Sequence, residues 1–218
     1  MIDLHTHSLF SDGELIPSEL VQRANVIGYS AIAITDHSDF SNLDFIVPRI
    51  VQVSEDLNRA QQVLVVPGIE LTHVPPGSIG PLVEKARKLG AKLIIVHGET
   101  IVEPVPVGTN RAALEAGADI LAHPGLISAD DVKLAVEKGV FLEISARAGH
   151  SYTNGYVAKL ANEAGAGLII NSDTHSPGNL MNKDFAEKVV EGAGLPAGSL
   201  SRLLSNARVL LEKIGCST

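Results

Sequence analysis

The chain has one cysteine, Cys216, close to its end, so it can build neither a disulfide framework nor a thiolate metal cage. Any metal site must use histidines and carboxylates. Aromatic residues make up only 4%, with no tryptophan, which leaves Val, Ile, Leu and Ala to form the core and suits strands covered by helices. Basic residues are outnumbered, 17 Lys and Arg against 25 Asp and Glu, for a formal charge of -8. Such a balance repels a phosphate backbone unless bound cations reverse the local sign, and it disfavours a passive nucleic-acid coat protein. No apolar run approaches the roughly 18 residues needed to span a bilayer, and Met1–His5 carries no basic stretch leading into an apolar one. A soluble, cytoplasmic protein without a membrane partner is expected.

The 218 residues are 45% hydrophobic and 19% charged, an ordinary globular composition. No linker, low-complexity tract or charge run divides them, so one domain over 1–218 is expected. Short β-type runs recur at Ile2–His5, Ser30–Thr35, Val63–Ile69, Lys92–His97, Asp119–His123, Val140–Ser145 and Leu168–Asn171. Helical spacing fills the gaps at Pro17–Ile27, Asp44–Gln61, Ile79–Leu89, Gly108–Ala116, Ala129–Lys138, Gly155–Ala164 and Lys183–Val190, with a last helix at Leu200–Ile214. Gly28, Gly90, Gly117, Gly139 and Gly165 stand where helices should end in a left-handed residue. Pro75-Pro76-Gly77 and residues 102–107 read as loops, and Gly77-Ser78-Ile79-Gly80, which lacks the lysine of a nucleotide-binding loop, reads as a turn. Seven strand–helix units of roughly 31 residues each fit either a parallel barrel or a doubly wound sheet.

Six of the eight histidines gather where strands end: His5 and His7, His37, His97, His123 and His175. Four acids join them, Asp12, Asp36, Glu70 and Asp173. In parallel α/β folds those ends form the ligand-binding rim, and a polynuclear metal site needs convergence of this kind from several strands. His5 and His7 are two apart on an extended chain, so both rings reach one side, and Asp173 and His175 repeat the spacing.

The ordered set Asp3-Leu4-His5-Thr6-His7-Ser8 with Ser11-Asp12-Gly13, Thr35-Asp36-His37, Gly68-Ile69-Glu70, His97 with Ala122-His123-Pro124, and Ser172-Asp173-Thr174-His175 resembles the polymerase and histidinol phosphatase (PHP) superfamily of metal-dependent phosphoesterases. The resemblance runs from residue 2 to about 180. It implies a distorted, TIM-like (βα)7 barrel of the α/β class with a trinuclear centre on its C-terminal rim. Carried over by motif, His5, His7, Glu70 and Asp173 would hold one ion, Glu70, His97 and His123 a second, and Asp12, His37 and His175 a third. Two to three divalent ions are expected, with Zn, Mn or Fe suited to imidazole and carboxylate donors. Ions bridged by one carboxylate would sit about 3.5–4 Å apart and could generate a hydroxide for in-line attack on phosphorus. Their charge would also reconcile an acidic protein with a phosphate substrate.

Further residues carry candidate roles. Arg147 follows the sixth strand and suits a substrate phosphate, while His150 in the same loop could protonate a leaving alkoxide. Together with Glu70 they form the candidate catalytic set. Asp36 suits either orientation of a histidine or loop capping, and Glu143 stands in a run too short for alternation to decide its face, with a buried structural acid as one reading. His73 belongs to no motif, and Arg111 is expected on the surface.

A small phosphomonoester is the expected substrate, with histidinol phosphate one candidate. The alternatives are a phosphodiesterase or exonuclease acting on nucleotides or nucleic-acid ends, for which five Phe and three Tyr offer little stacking surface, and a non-catalytic structural module. Amidohydrolases also place His-x-His after a first barrel strand but usually add a bridging lysine after the fourth, where this chain has His97.

Overall fold

The computed structural model describes residues 1–216. Among these residues eight parallel strands alternate with eight α-helices. The order is β1 (Ile2–Asp3), α1 (Pro17–Val26), β2 (Ala31–Ile34), β3 (His37–Ser38), α2 (Leu43–Ala60), β4 (Leu64–Leu71), α3 (Pro76–Leu89), β5 (Leu93–His97), α4 (Thr109–Glu115) and β6 (Ile120–Ala122). It continues with α5 (Ala129–Lys138), β7 (Phe141–Ser145), α6 (Asn154–Ala164), β8 (Leu168–Asn171), α7 (Lys183–Gly192) and α8 (Leu200–Lys213). The sheet runs β1-β2-β4-β5-β6-β7-β8. It is drawn shut between its outer strands by a parallel bridge from Thr6 to Thr174, where the His7 amide donates to the Thr174 carbonyl at 2.8 Å. The molecule is an α/β, TIM-like barrel.

The eighth strand is a fragment of the second. Ile34 pairs with Pro67 and His37 with Glu70, so β3 keeps the register of β2 after a two-residue interruption. Across the interruption the Thr35 amide donates to the Thr6 carbonyl at 2.8 Å and the Asp36 carbonyl accepts the Glu70 amide at 3.2 Å, while the Asp36 side chain ties down the loop after His7. The seven-strand count expected from the sequence therefore holds for the barrel, with His37 carried on the resumed segment and not in a loop.

The glycines at 28, 90, 117, 139 and 165 all have positive φ, as expected of left-handed helix ends. One expectation fails. Pro76–Gly80 is the first part of α3 and no turn, because Pro76 occupies the opening position of a helix, where its fixed φ fits and its missing N–H has no intrahelical partner to lose. Gly77 and Gly80 face open space there, so nothing in the packing demands glycine.

Strand alternation sorts the side chains into two apolar groups. Ile32, Ile34, Val65, Ile69, Leu71, Ile94, Val96, Leu142, Ile144 and Ile170 pack outward against the helices. Ile2, Leu4, Ala31, Ala33, Val66, Leu93, Ile95, Ile120, Ala122 and Ile169 fill the interior, joined by Ala207, Leu210 and Leu211 from α8. Toward the strand C-termini the inward positions change character, since Glu70 follows Val66 by four, His97 follows Ile95 by two and Asn171 follows Ile169 by two. The apolar core thus supports a polar floor at one mouth of the barrel.

Candidate metal centre

All nine side chains singled out as candidate ligands meet at that mouth. Glu70 Oε2 lies 3.3 Å from His5 Nε2 and 3.5 Å from His7 Nε2, and Asp173 Oδ1 lies 3.8 and 3.3 Å from the same two nitrogens. Asp12 Oδ1 stands 3.4 Å from His37 Nε2 and 3.2 Å from His175 Nε2, with His7 joining that group. His123 Nε2 is 3.8 Å from Glu70 Oε1, and His97 gathers with His123 and His150. Glu70 also reaches His37 Nδ1 at 2.8 Å, so one carboxylate touches residues of all three expected groups.

Local structure explains the convergence. Asp36 accepts from the Ser8 amide (2.8 Å) and hydroxyl (2.8 Å) and from the Ser11 amide (3.1 Å) and hydroxyl (2.7 Å), which fixes the loop between His7 and Asp12. Gly13 closes this loop where a Cβ would lie 2.4 Å from the His7 carbonyl oxygen. His123 and Asp173 have positive φ, 25° and 52°, conformations that a non-glycine residue holds only when its surroundings over-determine it.

The burial and charge of the site fit divalent cations. His5 Nε2, both His7 nitrogens, both Glu70 oxygens, His123 Nδ1 and Asp173 Oδ1 are buried without a hydrogen-bond partner. Such groups are expensive to bury unless something coordinates them. Burial alone would lower the His5 pKa, yet the carboxylates of Glu70, Glu143 and Asp173 raise it well above the usual imidazole range. Burial opposes the charge on Glu70 and Asp173 as well, but the surrounding imidazoles hold both well below the usual carboxylate range. His7 is pushed down to about 3 by burial and by the neighbouring His37. The site therefore sets ionised carboxylates beside imidazoles in a buried space, and a divalent cation could replace the proton that the carboxylates hold on His5.

The remaining candidates divide. Arg147 lines the mouth, donating Nη1 to the Asp173 carbonyl at 3.1 Å and contacting His175 Nδ1. His150 is buried in the same wall, its ring stacked on His123 at 4.0 Å and its Nδ1 2.9 Å from Thr100 Oγ1. Asp36 touches no histidine ring; its oxygens are spent on Ser8 and Ser11, so it is the loop cap of the two roles considered. Arg111 pairs with Glu115 and Asp131 at the surface, as expected. Arg147 and His150, with His73 and Glu103, line one cavity of about 240 Å³ together with several of the candidate ligands.

Sequence reasoning missed three contributors. Glu143 meets His5 Nδ1 at 2.8 Å with Oε1 and accepts the His123 amide at 3.1 Å with Oε2, so it is the acid that orients a histidine. Asn171 donates to Glu143 at 2.9 Å and accepts the Leu4 amide at 2.9 Å. Glu103 lies 3.0 Å from His97 and 3.1 Å from His73, which brings the unassigned His73 to the cavity edge. For Glu143 a signal existed: it has the parity of Phe141 and Ser145 and alternates with the outward Leu142 and Ile144. Glu103 stands in a loop with no pattern to read.

A parallel α/β barrel whose C-terminal rim gathers imidazoles and carboxylates with unpartnered buried donor atoms is a barrel suited to divalent cations. The chain matches the PHP domain profile over residues 3–204 and belongs to that family. It is 48% identical over 215 residues to an uncharacterised protein of Methanocaldococcus jannaschii, covering 97% of this chain and 99% of that one. It is 29% identical over 236 residues to a probable phosphatase of Shewanella pealeana, covering 95% and 89%. Among solved structures, a chain of archaeal ribonuclease P with mature tRNA superposes with a TM-score of 0.72 at 17% identity, covering 98% of this chain and 91% of that one. Histidinol phosphate phosphatase of Lactococcus lactis, solved with zinc, L-histidinol and phosphate, superposes with a TM-score of 0.61 at 17% identity, covering 89% and 94%. At those identities the two structures share the fold. No helix among the described residues is long and apolar enough to cross a membrane.

Proposed function

We propose that this chain is a metal-dependent phosphoesterase that hydrolyses a small phosphomonoester at a centre of two to three divalent ions. The observation that carries this reading is the convergence of nine imidazole and carboxylate side chains, five of which, His5, His7, Glu70, His123 and Asp173, bury donor atoms without partners. His5, His7, Glu70 and Asp173 would hold one ion, Glu70, His97 and His123 a second, and Asp12, His37 and His175 a third, with Glu70 shared. Zn, Mn or Fe suits these donors, and such ions supply Lewis acidity and a nucleophilic water near neutral pH.

The chain's own residues do the rest. Arg147, anchored by the Asp173 carbonyl and partly exposed, presents its planar fork to substrate phosphate oxygens. His150, oriented by Thr100 through Nδ1, turns Nε2 toward the cavity and can carry a proton to the leaving alkoxide. The cavity of about 240 Å³ is smaller than the roughly 300–1,000 Å³ of typical drug-sized pockets, which favours a compact metabolite; the fit to a probable phosphatase relative agrees, and histidinol phosphate is one candidate.

A second reading, cleavage of phosphodiesters at nucleic-acid ends, draws on the likeness to a ribonuclease P chain and on Tyr152 and Phe40, rim-loop aromatics that are 74% and 53% exposed and could stack on bases. Hydrolysis of a matched phosphomonoester and phosphodiester by Mn-reconstituted protein, with a chelator-treated control, separates the two. Chelator-sensitive monoester cleavage is expected; diester preference supports the second reading; turnover of neither ester contradicts both and favours a non-catalytic module.

A further inference from the structure

Beside the nine converging residues, and sharing His97 with them, the rim carries another imidazole–carboxylate grouping. Glu103 rides on the loop between β5 and α4, which is tethered where Glu99 Oε1 accepts the amides of Gly108 (3.0 Å) and Asn110 (2.9 Å). Val102 leans onto the loop after β7, since a Cβ on Gly149 would lie 3.5 Å from Val102 Cγ2. This presents Glu103 to three rings. Its Oε2 lies 3.0 Å from His97 Nε2 and 3.1 Å from His73 Nε2, and its Oε1 lies 3.4 Å from His150 Nε2.

His97 Nδ1 is 3.2 Å from the Gly98 carbonyl oxygen, which can only accept, so Nδ1 is engaged there and Nε2 is the atom turned to Glu103. At 3.0 Å the Nε2 atom and the carboxylate are close enough to share one bound cation. His73 has φ 54°, a left-handed conformation costing a non-glycine residue on the order of 1–3 kcal/mol, and its ring stands edge-on to His97 at 4.7 Å. The backbone is held in an unfavourable state that points this imidazole at the same carboxylate.

We propose that His73, Glu103 and His97 form an outer cation position through which a divalent ion enters the centre. The inference rests on the metal centre of the preceding section. His73 and Glu103 side chains are 37% and 36% exposed, whereas His97 and His123 are 3% and 1% exposed, so an ion arriving from solvent meets the outer pair first. Ligand atoms of His73, His97 and Glu103 lie within 4.8 Å of one another, and His97 is likewise grouped with His123. With Nδ1 engaged, Nε2 is the atom His97 has for both positions, and its single lone pair serves them in turn. An ion held there would pass inward by exchanging His73 and Glu103 for His123 while His97 stays bound. Zn, Mn and Co ions suit two imidazoles and a carboxylate.

Stopped-flow uptake of Co(II) by metal-free protein, followed by its visible absorbance, tests this with His73→Asn and Glu103→Gln, alongside Co content after equilibrium dialysis. Both substitutions should slow uptake of one ion by roughly tenfold and leave the final content equal to wild type. Uptake at the wild-type rate in both variants overturns the proposal. A Co content one ion short in Glu103→Gln also overturns it, because Glu103 would then be a permanent ligand. Wild-type protein that takes up no Co(II) contradicts the metal centre itself, and the entry position with it. Circular-dichroism melts of the metal-free variants establish folding, and His73→Asn, a change at an exposed ring, keeps the test decisive if Glu103→Gln does not fold.

Discussion

Glu143 connects two proposed metal ligands that follow different strands, holding His5 by its ring and His123 by its backbone amide. A carboxylate on the far nitrogen of a ligating imidazole fixes its tautomer and raises its basicity, and loss of such partners costs about 10–100-fold in metal affinity. Glu143→Gln should therefore weaken divalent-ion binding by that factor in a chelator-competition titration, while the fold persists; unchanged affinity would mean that His5 needs no orientation. The candidate ligands were legible because six strands each delivered a histidine or acid at the same end. The residues that orient them were less so. Glu143 could be found only by extending alternation over five residues, and Asp36, adjacent to His37, turned out to bind two serines of another loop, a contact that sequence adjacency cannot indicate.

Loops here are built as firmly as strands. Asp36 gathers four donors from Ser8 and Ser11, so it fixes the segment that delivers both His7 and Asp12. Asp36→Ala leaves those donors without their acceptor in a largely buried turn and should destabilise the protein by roughly 2–4 kcal/mol in urea unfolding. A loss below about 1 kcal/mol would show that the loop is held by other contacts. The element pattern was read nearly to the residue where periodicity was strong, as in α5 and β8, whose observed ends match the expected ones. It went astray at Pro76–Gly80, where proline and glycine have two meanings and the helix-opening one prevailed. The break between β2 and β3 was invisible because the chain keeps its register against β4 across it, so side-chain alternation carries no mark of the interruption.

The whole molecule divides into a stabilising end and a chemical end. α8 closes the barrel floor with Ala207, Leu210 and Leu211, far along the axis from the polar mouth. Leu210→Ala should cost roughly 2–5 kcal/mol in stability yet leave metal content unchanged, which dialysis followed by elemental analysis would check. A drop in bound metal at saturating supply would mean that floor and mouth are coupled. Bound ions should in turn stabilise the fold: each site filled at 100 times its Kd adds about 2.7 kcal/mol, so chelator-treated protein should melt at a lower temperature than the loaded form. Periodicity alone left open sheet and barrel undecided, because closure depends on the Thr6–Thr174 bridge between chain segments far apart in sequence.

The most direct test of the central claim is the metal content and phosphoesterase turnover of Glu70→Gln against wild type. Glu70 touches residues of all three groups and is the carboxylate proposed to be shared between ions. The shared-carboxylate centre predicts two to three ions per wild-type chain, the loss of more than one of them in the variant, and a fall in turnover of roughly 100-fold or more. A folded Glu70→Gln protein with its full complement of ions and undiminished turnover would contradict the account.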